Sequence, residues 1–248
     1  MELVDSHAHI GFQEFDSDRV EVLTRSKAAD VAIVDCSLSP EELNKILPLR
    51  ADFPNLYLTI GCTPYELEPS YFYKQFKLME LHAKDIVAIG EIGLDYHHVT
   101  DKYEQERERK NFLMLLSHAK ELDKPVVIHS RDAEEVCLDI LARENIPHAI
   151  MHCYSGPLDV AQKAVAMGYL ISIPTNLAKS KQKKKLVSEI PLENLVLETD
   201  SPYLSPDKER NEPTNIRRTA ELIAEIKEIS FEEVASQTTK NASNFFGF

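Results

Sequence analysis

The sequence lacks the features that mark membrane-spanning or secreted chains. No apolar run approaches the roughly 18 residues that span a bilayer. The start, MELVDSHAHI, has no basic region followed by an apolar stretch, so it does not resemble a secretory signal. The cysteines stand at positions 36, 62, 137 and 153 and form no C-x-x-C pair. We therefore expect a cytoplasmic protein with no membrane partner, whose cysteines are reduced and buried.

Basic residues are scarce relative to acidic ones. Lys and Arg number 28 against 41 Asp and Glu, which gives a formal net charge of −13. Broad wrapping of duplex nucleic acid is therefore excluded, because that affinity comes from many basic groups neutralising phosphates. Binding of one strand end stays open, since a bound divalent cation supplies positive charge locally.

No low-complexity linker or shift in composition divides the 248 residues, so the sequence predicts one domain, 1–248. Eight short β-rich runs alternate with segments of helical periodicity, and their apolar cores are continuous, as in parallel strands covered on both faces. This pattern predicts an α/β fold, a (β/α)8 TIM barrel, with a doubly wound open sheet as the alternative. The predicted strands cover residues 3–10, 31–37, 57–62, 86–91, 126–130, 149–153, 169–173 and 195–199.

Several residues between these runs predict where helices begin and end. Ser39 and Ser230 stand where a hydroxyl oxygen caps the first turn of a helix, and each is followed three residues later by Glu. Asp132 is predicted to cap, in the same way, the helix that follows the fifth predicted strand. Asn145 and Gly168 are predicted to end helices in the left-handed conformation.

Metal-binding side chains stand at the ends of five predicted strands. Because the carboxyl ends of all barrel strands lie on one face, residues distant in sequence converge there. His7 and His9 are two apart on a strand and share a face, roughly 6.5 to 7 Å apart, close enough to hold one ion. Asp5 is expected on the same side, accepting a hydrogen bond from a ligating histidine. The candidate ligands are His7, His9, Glu91, His129, His152 and Asp200.

Each candidate also has a purely structural interpretation. A single buried histidine is usually a hydrogen-bonded core residue, and a single glutamate is often half of an ion pair. Six such groups buried without a cation would cost several kcal/mol per uncompensated charge, which favours a metal site. The set exceeds the needs of one catalytic ion and predicts two divalent cations with a bridging carboxylate. Mixed N/O ligands suit zinc, manganese or iron, and magnesium stays open.

Six motifs follow one another in an order that is found in a known family. They are D-S-H-A-H at 5–9, G-E-I-G-L-D-Y at 90–96, P-V-V-I-H-S-R-D-A at 125–133, H-C-Y-S-G at 152–156, E-T-D-S-P-Y-L at 198–204 and N-E-P at 211–213. Together they resemble the TatD family of metal-dependent hydrolases, within the amidohydrolase superfamily, over nearly the whole chain. The resemblance implies a (β/α) barrel, two divalent metals and DNase activity, often removing nucleotides from a 3′ end. It also implies that one metal is held by His7, His9 and Asp200 and the other by His129 and His152, with Glu91 bridging.

One motif of the family is altered. Where the family typically shows G-x-H-P-H after the third strand, this chain has Thr63 and Tyr65 in place of both histidines. Metal binding is still expected, because the first of those histidines usually lies near the substrate, but the substrate itself stays open. The carboxylated lysine common in the superfamily is not expected, because Glu91 occupies the end of the fourth strand.

The leading functional hypothesis is hydrolysis of a phosphodiester in single-stranded or 3′-end DNA. Asp200 would orient the attacking water or take its proton, and Glu91 would be essential as the bridge. Arg131 is a candidate phosphate contact, with an ion pair to Asp132 or Glu134 as the alternative. The lysine-rich run 179–185 is either a guide for phosphates or the solvated face of a helix.

Two other functions stay open at this stage. One keeps the metals but changes the bond to an ester, lactone or amide, including an aminoacyl ester on tRNA. The altered G-x-H-P-H motif favours this hypothesis modestly. The other is a metal-stabilised interaction module without turnover. The intact H-x-H pair argues against this hypothesis.

Overall fold

Eight parallel strands form one sheet in a computed structural model that describes residues 1–248. Each strand lies beside its neighbours in the sequence, from β1 to β8. The predicted (β/α)8 barrel is therefore confirmed, and the doubly wound alternative is wrong because that fold reverses its strand order. The strands are β1 Leu3–Ala8, β2 Val31–Ser37, β3 Leu56–Ile60, β4 Ala88–Asp95, β5 Val126–Arg131, β6 Ala149–Met151, β7 Leu170–Pro174 and β8 Leu195–Glu198.

Helices connect successive strands and surround the sheet. Two further helices, α8 and α9, follow the last strand. None of the helices combines the length and the apolar character needed to cross a bilayer. The helices are α1 Arg19–Ala28, α2 Pro40–Ile46, α3 Pro69–Leu81, α4 Lys102–Glu121, α5 Glu134–Arg143, α6 Leu158–Ala166, α7 Lys181–Glu189, α8 Ile216–Lys227 and α9 Phe231–Phe246.

The seam between β1 and β8 is closed by residues just beyond the end of β8. The N–H of Asp200 donates to the carbonyl of His7 at 3.0 Å, and the N–H of His9 donates to Ser201 at 2.8 Å. Since three of these four residues are candidate ligands and the fourth is the neighbour of one, the closure of the barrel and the assembly of the site use the same backbone.

Asp5 strengthens this seam from within β1. Its carboxylate accepts hydrogen bonds from the N–H of Thr199 at 2.8 Å and from the Thr199 hydroxyl at 2.5 Å. Asp5 also accepts a hydrogen bond from the backbone N–H of His7 at 3.4 Å, so the prediction that it accepts from a ligating histidine is confirmed for the backbone and not for the imidazole. The register of β1 against β2 shifts between Asp5 and Ala8, so the alternation that would place Asp5 and His7 on one face is interrupted.

The interior of the barrel is packed near the amino ends of the strands. A small apolar cluster takes residues from six strands on all sides of the ring, so it lies inside the barrel. Two side chains of α9, Ala242 and Phe246, join it, so this helix covers that end. The strand residues of the cluster are Val4, Ala32, Val34, Ala88, Val127, Ile150 and Val196.

Most predicted helix ends are confirmed. Ser39 accepts a hydrogen bond from Glu42 N at 3.2 Å, and Ser230 accepts one from Glu233 N at 3.1 Å. Asn145 and Gly168 have positive φ values of 52° and 85° and end α5 and α6. The left-handed conformation thus ends both helices where expected.

The predicted cap at Asp132 is wrong. Helix α5 begins at Glu134 after an Ala133 cap residue, with no side-chain cap. Asp132 itself has a φ of 55°, which turns its carboxylate away from the helix. Its Oδ2 lies 3.1 Å from Nδ1 of His97 in the neighbouring loop instead.

The four cysteines form no disulfide. Three of them, Cys36, Cys62 and Cys137, are buried as expected, and Cys153 is partly buried. They behave as small apolar residues in the core, although Cys36 also takes part in the site described below.

The observed strands match the predicted ones within two residues, with one exception. Strand β4 continues beyond Glu91 to Asp95, so Glu91 lies within the strand and not at its end. The register of β4 against β5 shifts between Ile89 and Ile92, in the stretch that contains Glu91. Such irregularities redirect a side chain within a strand, which explains how Glu91 can face the site from this position.

Strand β4 also approaches β5 closely at Gly93, which pairs with His129. Gly93 has a φ of +155°, and a Cβ at this position would lie 1.9 Å from the carbonyl oxygen of His129. A side chain therefore cannot be accommodated there without separating the two strands that carry Glu91 and His129.

We expect the substitution Gly93→Ala to destabilise the protein by about 2–4 kcal/mol, because it combines overpacking with an unfavourable φ. Urea unfolding measures this change. Gly168→Ala is the matched control, since Gly168 also has a positive φ but nothing lies within 4 Å of its added Cβ. The control should cost only about 1 kcal/mol. Equal losses of unfolding free energy in the two variants would show that the close approach of β4 to β5 does not exclude a side chain at position 93.

Candidate metal centre

All six predicted ligands meet at the carboxyl end of the barrel. Two follow directly on the ends of β1 and β6, and one follows β8 by two residues; the others lie within β1, β4 and β5. They are, in chain order, His7, His9, Glu91, His129, His152 and Asp200. The sequence prediction therefore names a set of side chains that the fold brings together.

One part of the cluster comes from the seam between β1 and β8. The Nε2 atoms of His7 and His9 lie 3.2 Å apart. Asp200 Oδ1 lies 3.5 Å from Nε2 of His9 and 4.0 Å from Nε2 of His7. The backbone of Asp200 is left-handed, with a φ of 56°, and its N–H makes the hydrogen bond to the carbonyl of His7 in β1. Two imidazoles and one carboxylate thus converge on one point.

Glu91 joins this part to the other two histidines. Its Oε2 lies 3.2 Å from Nδ1 of His129 and 3.3 Å from Nε2 of His152. Its Oε1 lies 3.9 Å from Nε2 of His9. One carboxylate oxygen therefore faces His129 and His152, and the other faces His9.

The cluster is nevertheless continuous. The rings of His7 and His152 lie 3.9 Å apart between centroids. The donor atoms of His7, Glu91 and His152 all lie within 4.8 Å of one another and could hold an ion as a group. The imidazoles alone do not divide the site into two separate parts.

The spacing of the donor atoms fits divalent cations. Two ligand atoms of one tetrahedral zinc ion lie about 3.4 Å apart. The separations between His7 and His9, between Glu91 and His129, and between His9 and Asp200 run from 3.2 to 3.5 Å. Nitrogen and oxygen donors in this combination suit zinc, manganese or iron.

The pKa shifts of two candidate ligands, His7 and Glu91, suit cation binding. Burial, with the neighbouring imidazoles of His152 and His9, lowers the pKa of His7 well below its usual range. His7 is therefore neutral, which is the form that binds a metal. Burial raises the pKa of Glu91, but its contacts with His129 and His152 outweigh that effect and hold the pKa well below its usual range. Glu91 is accordingly an ionised carboxylate. In His9, His129 and His152, by contrast, burial lowers the pKa but neighbouring carboxylates outweigh that effect and raise it, so these rings would release a proton on binding a cation.

Two carboxylates that the sequence did not point to hold the imidazoles from behind. Asp95 Oδ2 lies 3.0 Å from Nε2 of His129, and Glu198 Oε2 lies 2.9 Å from Nδ1 of His152. Such partners fix the orientation and tautomer of a ligating ring. A signal for both was present, because each is a carboxylate at the end of a mainly apolar strand, where charged residues are rarely buried without a partner.

Cys36 holds two further groups of the site. Its carbonyl oxygen lies 3.0 Å from Nδ1 of His9. Its thiol donates to the carbonyl of Gly90 at 3.1 Å and accepts from the N–H of Glu91 at 3.0 Å. Burial raises the pKa of this thiol to about 11, so it keeps its proton. Residue 36 therefore fixes the His9 ring and the Glu91 peptide together.

Arg131 extends from the end of β5 into solvent. It lies two residues after His129, so both side chains leave the strand on the same side. Arg131 is exposed and makes no ion pair, and Asp132 contacts His97 instead. The predicted alternative, an ion pair with Asp132 or Glu134, is wrong.

The lysine-rich run has two kinds of members. Lys183 is buried and donates to the carbonyl of Tyr154 at 2.9 Å, which is a structural role. Lys179 donates to the carbonyl of Ser205 at 3.0 Å in the loop after β8. The other lysines of the run are exposed on α7, and a role in guiding phosphates stays a prediction for them.

The two residues that replace the family's histidines lie near the cluster but outside it. The N–H of Thr63 donates to the Tyr71 hydroxyl at 3.1 Å. Tyr65 is 52% exposed, and its ring lies 5.0 Å from that of His98. Partial burial and the nearby charges of Glu91 and Asp95 raise the pKa of Tyr65.

A barrel with imidazoles and carboxylates clustered at its carboxyl end is the arrangement of metal-dependent hydrolases. Comparison with known proteins supports this classification. The family model described as TatD related DNase matches residues 4–247. The chain is 36% identical over 253 residues to the uncharacterized metal-dependent hydrolase YabD of Bacillus subtilis, covering 98% of each chain. It is 36% identical over 258 residues to human deoxyribonuclease TATDN3, covering 98% of this chain and 94% of that one.

A solved structure shows the same architecture. The TatD homologue YJJV of Escherichia coli matches with a TM-score of 0.89 at 26% identity, covering 100% of this chain and 98% of the other. This chain therefore belongs to the TatD family of metal-dependent hydrolases.

Behind Asp95 lies a buried carboxyl group with one oxygen unpaired. Glu108 Oε1 accepts a hydrogen bond from the N–H of Asp95 at 2.7 Å, whereas its Oε2 has no partner. Burial and the charge of Asp95 raise the pKa of Glu108 to about 7. Since the pKa is higher in the folded state, this group contributes stability that is full below about pH 4.5 and is lost as the pH rises through 7.

We expect Glu108→Gln to remove this loss of stability with rising pH. Relative to the native chain, the variant should gain on the order of 2 kcal/mol in unfolding free energy between pH 5 and pH 8. Urea unfolding in the presence of EDTA measures the difference without bound cations. Glu106→Gln, at an exposed position on the same helix, is the control and should leave the pH dependence unchanged. An unaltered slope for Glu108→Gln would contradict the assignment.

Proposed function

We propose that this chain hydrolyses phosphodiester bonds in DNA, removing nucleotides from the 3′ end of a single strand with the help of two divalent cations. The observation that carries the proposal is the Glu91 carboxylate, which turns one oxygen towards His129 and His152 and the other towards His9. The name of the human relative, deoxyribonuclease TATDN3, supports DNA as the substrate.

In this proposal the ligands divide as the family resemblance implies. His7, His9 and Asp200 would hold one cation, and His129 and His152 would hold the other. Glu91 would bridge the two. The convergence of Asp200 with the β1 histidines, and of Glu91 with the other two, supports this division. The cations could be zinc, manganese, iron or magnesium.

Bound divalent cations would lower the pKa of a water and polarise the phosphate oxygens. The residues of the chain supply the remaining functions. Asp200 would orient the attacking water and accept its proton; this role is supported by its side chain, which is 15% exposed while those of His7 and His9 are almost fully buried. Asp95 and Glu198 keep the imidazoles of His129 and His152 in a fixed orientation during this transfer.

Arg131 is the proposed contact for a phosphate of the strand. It is exposed, it makes no ion pair and it leaves β5 on the same side as His129. A free guanidinium binds phosphate through two parallel hydrogen bonds. One such contact at a strand end is compatible with a chain of net charge −13, whereas wrapping a duplex is not.

There are two alternative functions. In one, the same metal centre cleaves a different bond; in the other, the chain binds metal without turnover. Thr63 and Tyr65, which replace two histidines of the family pattern, favour an ester, lactone or amide as the bond, including an aminoacyl ester on tRNA. A panel of labelled single-stranded DNA, aryl esters and charged tRNA separates these substrates. Two bound cations with no turnover of any member would indicate an interaction module. The cytoplasmic location stays a prediction from the sequence.

We expect Glu91→Ala to lower metal-dependent cleavage of a 3′-labelled strand by about 1000-fold or more, because removal of the bridge disrupts both groups of ligands. Elemental analysis should show less bound metal, and circular dichroism should show a folded protein. Glu80→Ala, at an exposed site on α3, is the control and should cleave normally. Full nuclease activity in the Glu91→Ala variant would rule out the proposed mechanism.

Arg131→Ala should raise KM for a single-stranded substrate by roughly 10-fold with little change in kcat, because a phosphate contact binds substrate and transition state alike. The slope of log affinity against log salt should fall by about 0.7. Arg143→Ala is the matched control, since Arg143 is also exposed and unpaired but lies at the far end of α5. Identical KM values and salt slopes for the two variants would exclude Arg131 from the substrate path.

A further inference from the structure

Aromatic rings flank the metal centre on the side of β1 and β8. The ring of Phe12 stacks on that of His9, with centroids 4.5 Å apart and planes 20° apart. Tyr203, in the loop after β8, meets Phe12 edge to face at 6.2 Å. Tyr203 is 50% exposed, so this pair presents an aromatic surface to solvent beside the His9 imidazole.

A second aromatic pair stands beyond β3 and β4, on a different part of the same rim. The rings of Tyr65 and His98 lie 5.0 Å apart at 41°. His98 is held in place because its Nδ1 lies 2.8 Å from Oδ2 of Asp95, and Asp95 in turn holds His129. One aromatic pair is therefore attached to the metal centre through His9, and the other through Asp95.

Neither packing nor the proposed chemistry explains the exposed ring of Tyr65. Its hydroxyl makes no hydrogen bond, whereas the hydroxyl of nearby Tyr71 donates to the carbonyl of Leu38 at 3.0 Å. Half of the Tyr65 side chain is in contact with solvent, so it contributes little to the core. An aromatic ring held at the mouth of a site without a structural partner is available to a ligand.

We propose that Tyr65, supported by His98, is a stacking surface for an unpaired nucleobase next to the bond that is cleaved, with Phe12 and Tyr203 bounding the same opening. This inference rests on the proposed function, because it assumes that the ligand is a nucleic acid strand. It adds what that function leaves open, namely how the chain recognises a strand end without many basic groups.

Stacking suits a strongly acidic protein. Every base has a flat π face, so an aromatic surface binds single strands with little preference for sequence. Its contribution does not depend on neutralising phosphates and is therefore insensitive to salt, in contrast to that of Arg131. A base that is already paired in a duplex offers no free face, so the surface favours unpaired ends.

The substitution Tyr65→Ala tests the inference, with Tyr65→Phe as the matched control that keeps the ring and loses only an unbonded hydroxyl. The probes are two 5′-labelled single strands with a phosphorothioate at the 3′-terminal linkage, one with a normal terminal base and one with an abasic terminal residue. Binding to the metal-loaded protein is measured by fluorescence anisotropy. Cleavage of an unmodified strand by the native chain is measured separately.

The native chain and Tyr65→Phe should bind the base-bearing end about 5- to 30-fold more tightly than the abasic end. In Tyr65→Ala this ratio should fall to near 1, while binding of the abasic strand stays the same. A ratio near 1 in the native chain, or a ratio unchanged by Tyr65→Ala, overturns the inference even if DNA is cleaved. A Tyr65-dependent ratio without cleavage supports the stacking surface while the proposed hydrolysis fails.

Discussion

The seam between the first and last strands is the constraint on which the rest of the site depends. Backbone hydrogen bonds join His7 to Asp200 across it, and the Asp5 carboxylate holds Thr199 from the other strand. Burial raises the pKa of Asp5 well above its usual range, so its hydrogen bonds to Thr199 are what compensate for placing this group in the core. Because the same contacts close the barrel and align three candidate ligands, cations bound there would also stabilise the closed barrel.

Around this seam, three of the four imidazoles are fixed by a group on their far side. Asp95, Glu198 and the Cys36 carbonyl hold His129, His152 and His9, respectively. The arrangement is therefore organised before any cation arrives, and the cost of collecting like groups is met by hydrogen bonding within the fold. Replacing one of these supporting groups would change the orientation of a metal ligand but would not remove a donor atom from the site.

The fold and the six clustered side chains could be predicted from the sequence because both follow from side-chain periodicity. Eight apolar runs define parallel strands, and polar residues at the ends of such runs must meet on one face. The irregular registers at residues 5–8 and 89–92 leave no such signature, since they are properties of the backbone. They explain why Asp5 faces Thr199 and why Glu91 works from within a strand. Asp132 was assigned to a helix cap from local pattern alone, but a positive φ directs it to His97.

The packed layer beneath the centre has a topological consequence. Valine, isoleucine and alanine side chains from six strands fill the barrel, and Phe246 of α9 covers its base. The candidate ligands lie above this layer and are thus accessible only from the carboxyl end of the barrel. Any substrate must therefore enter, and any product must leave, through that same end, because nothing can pass through the barrel.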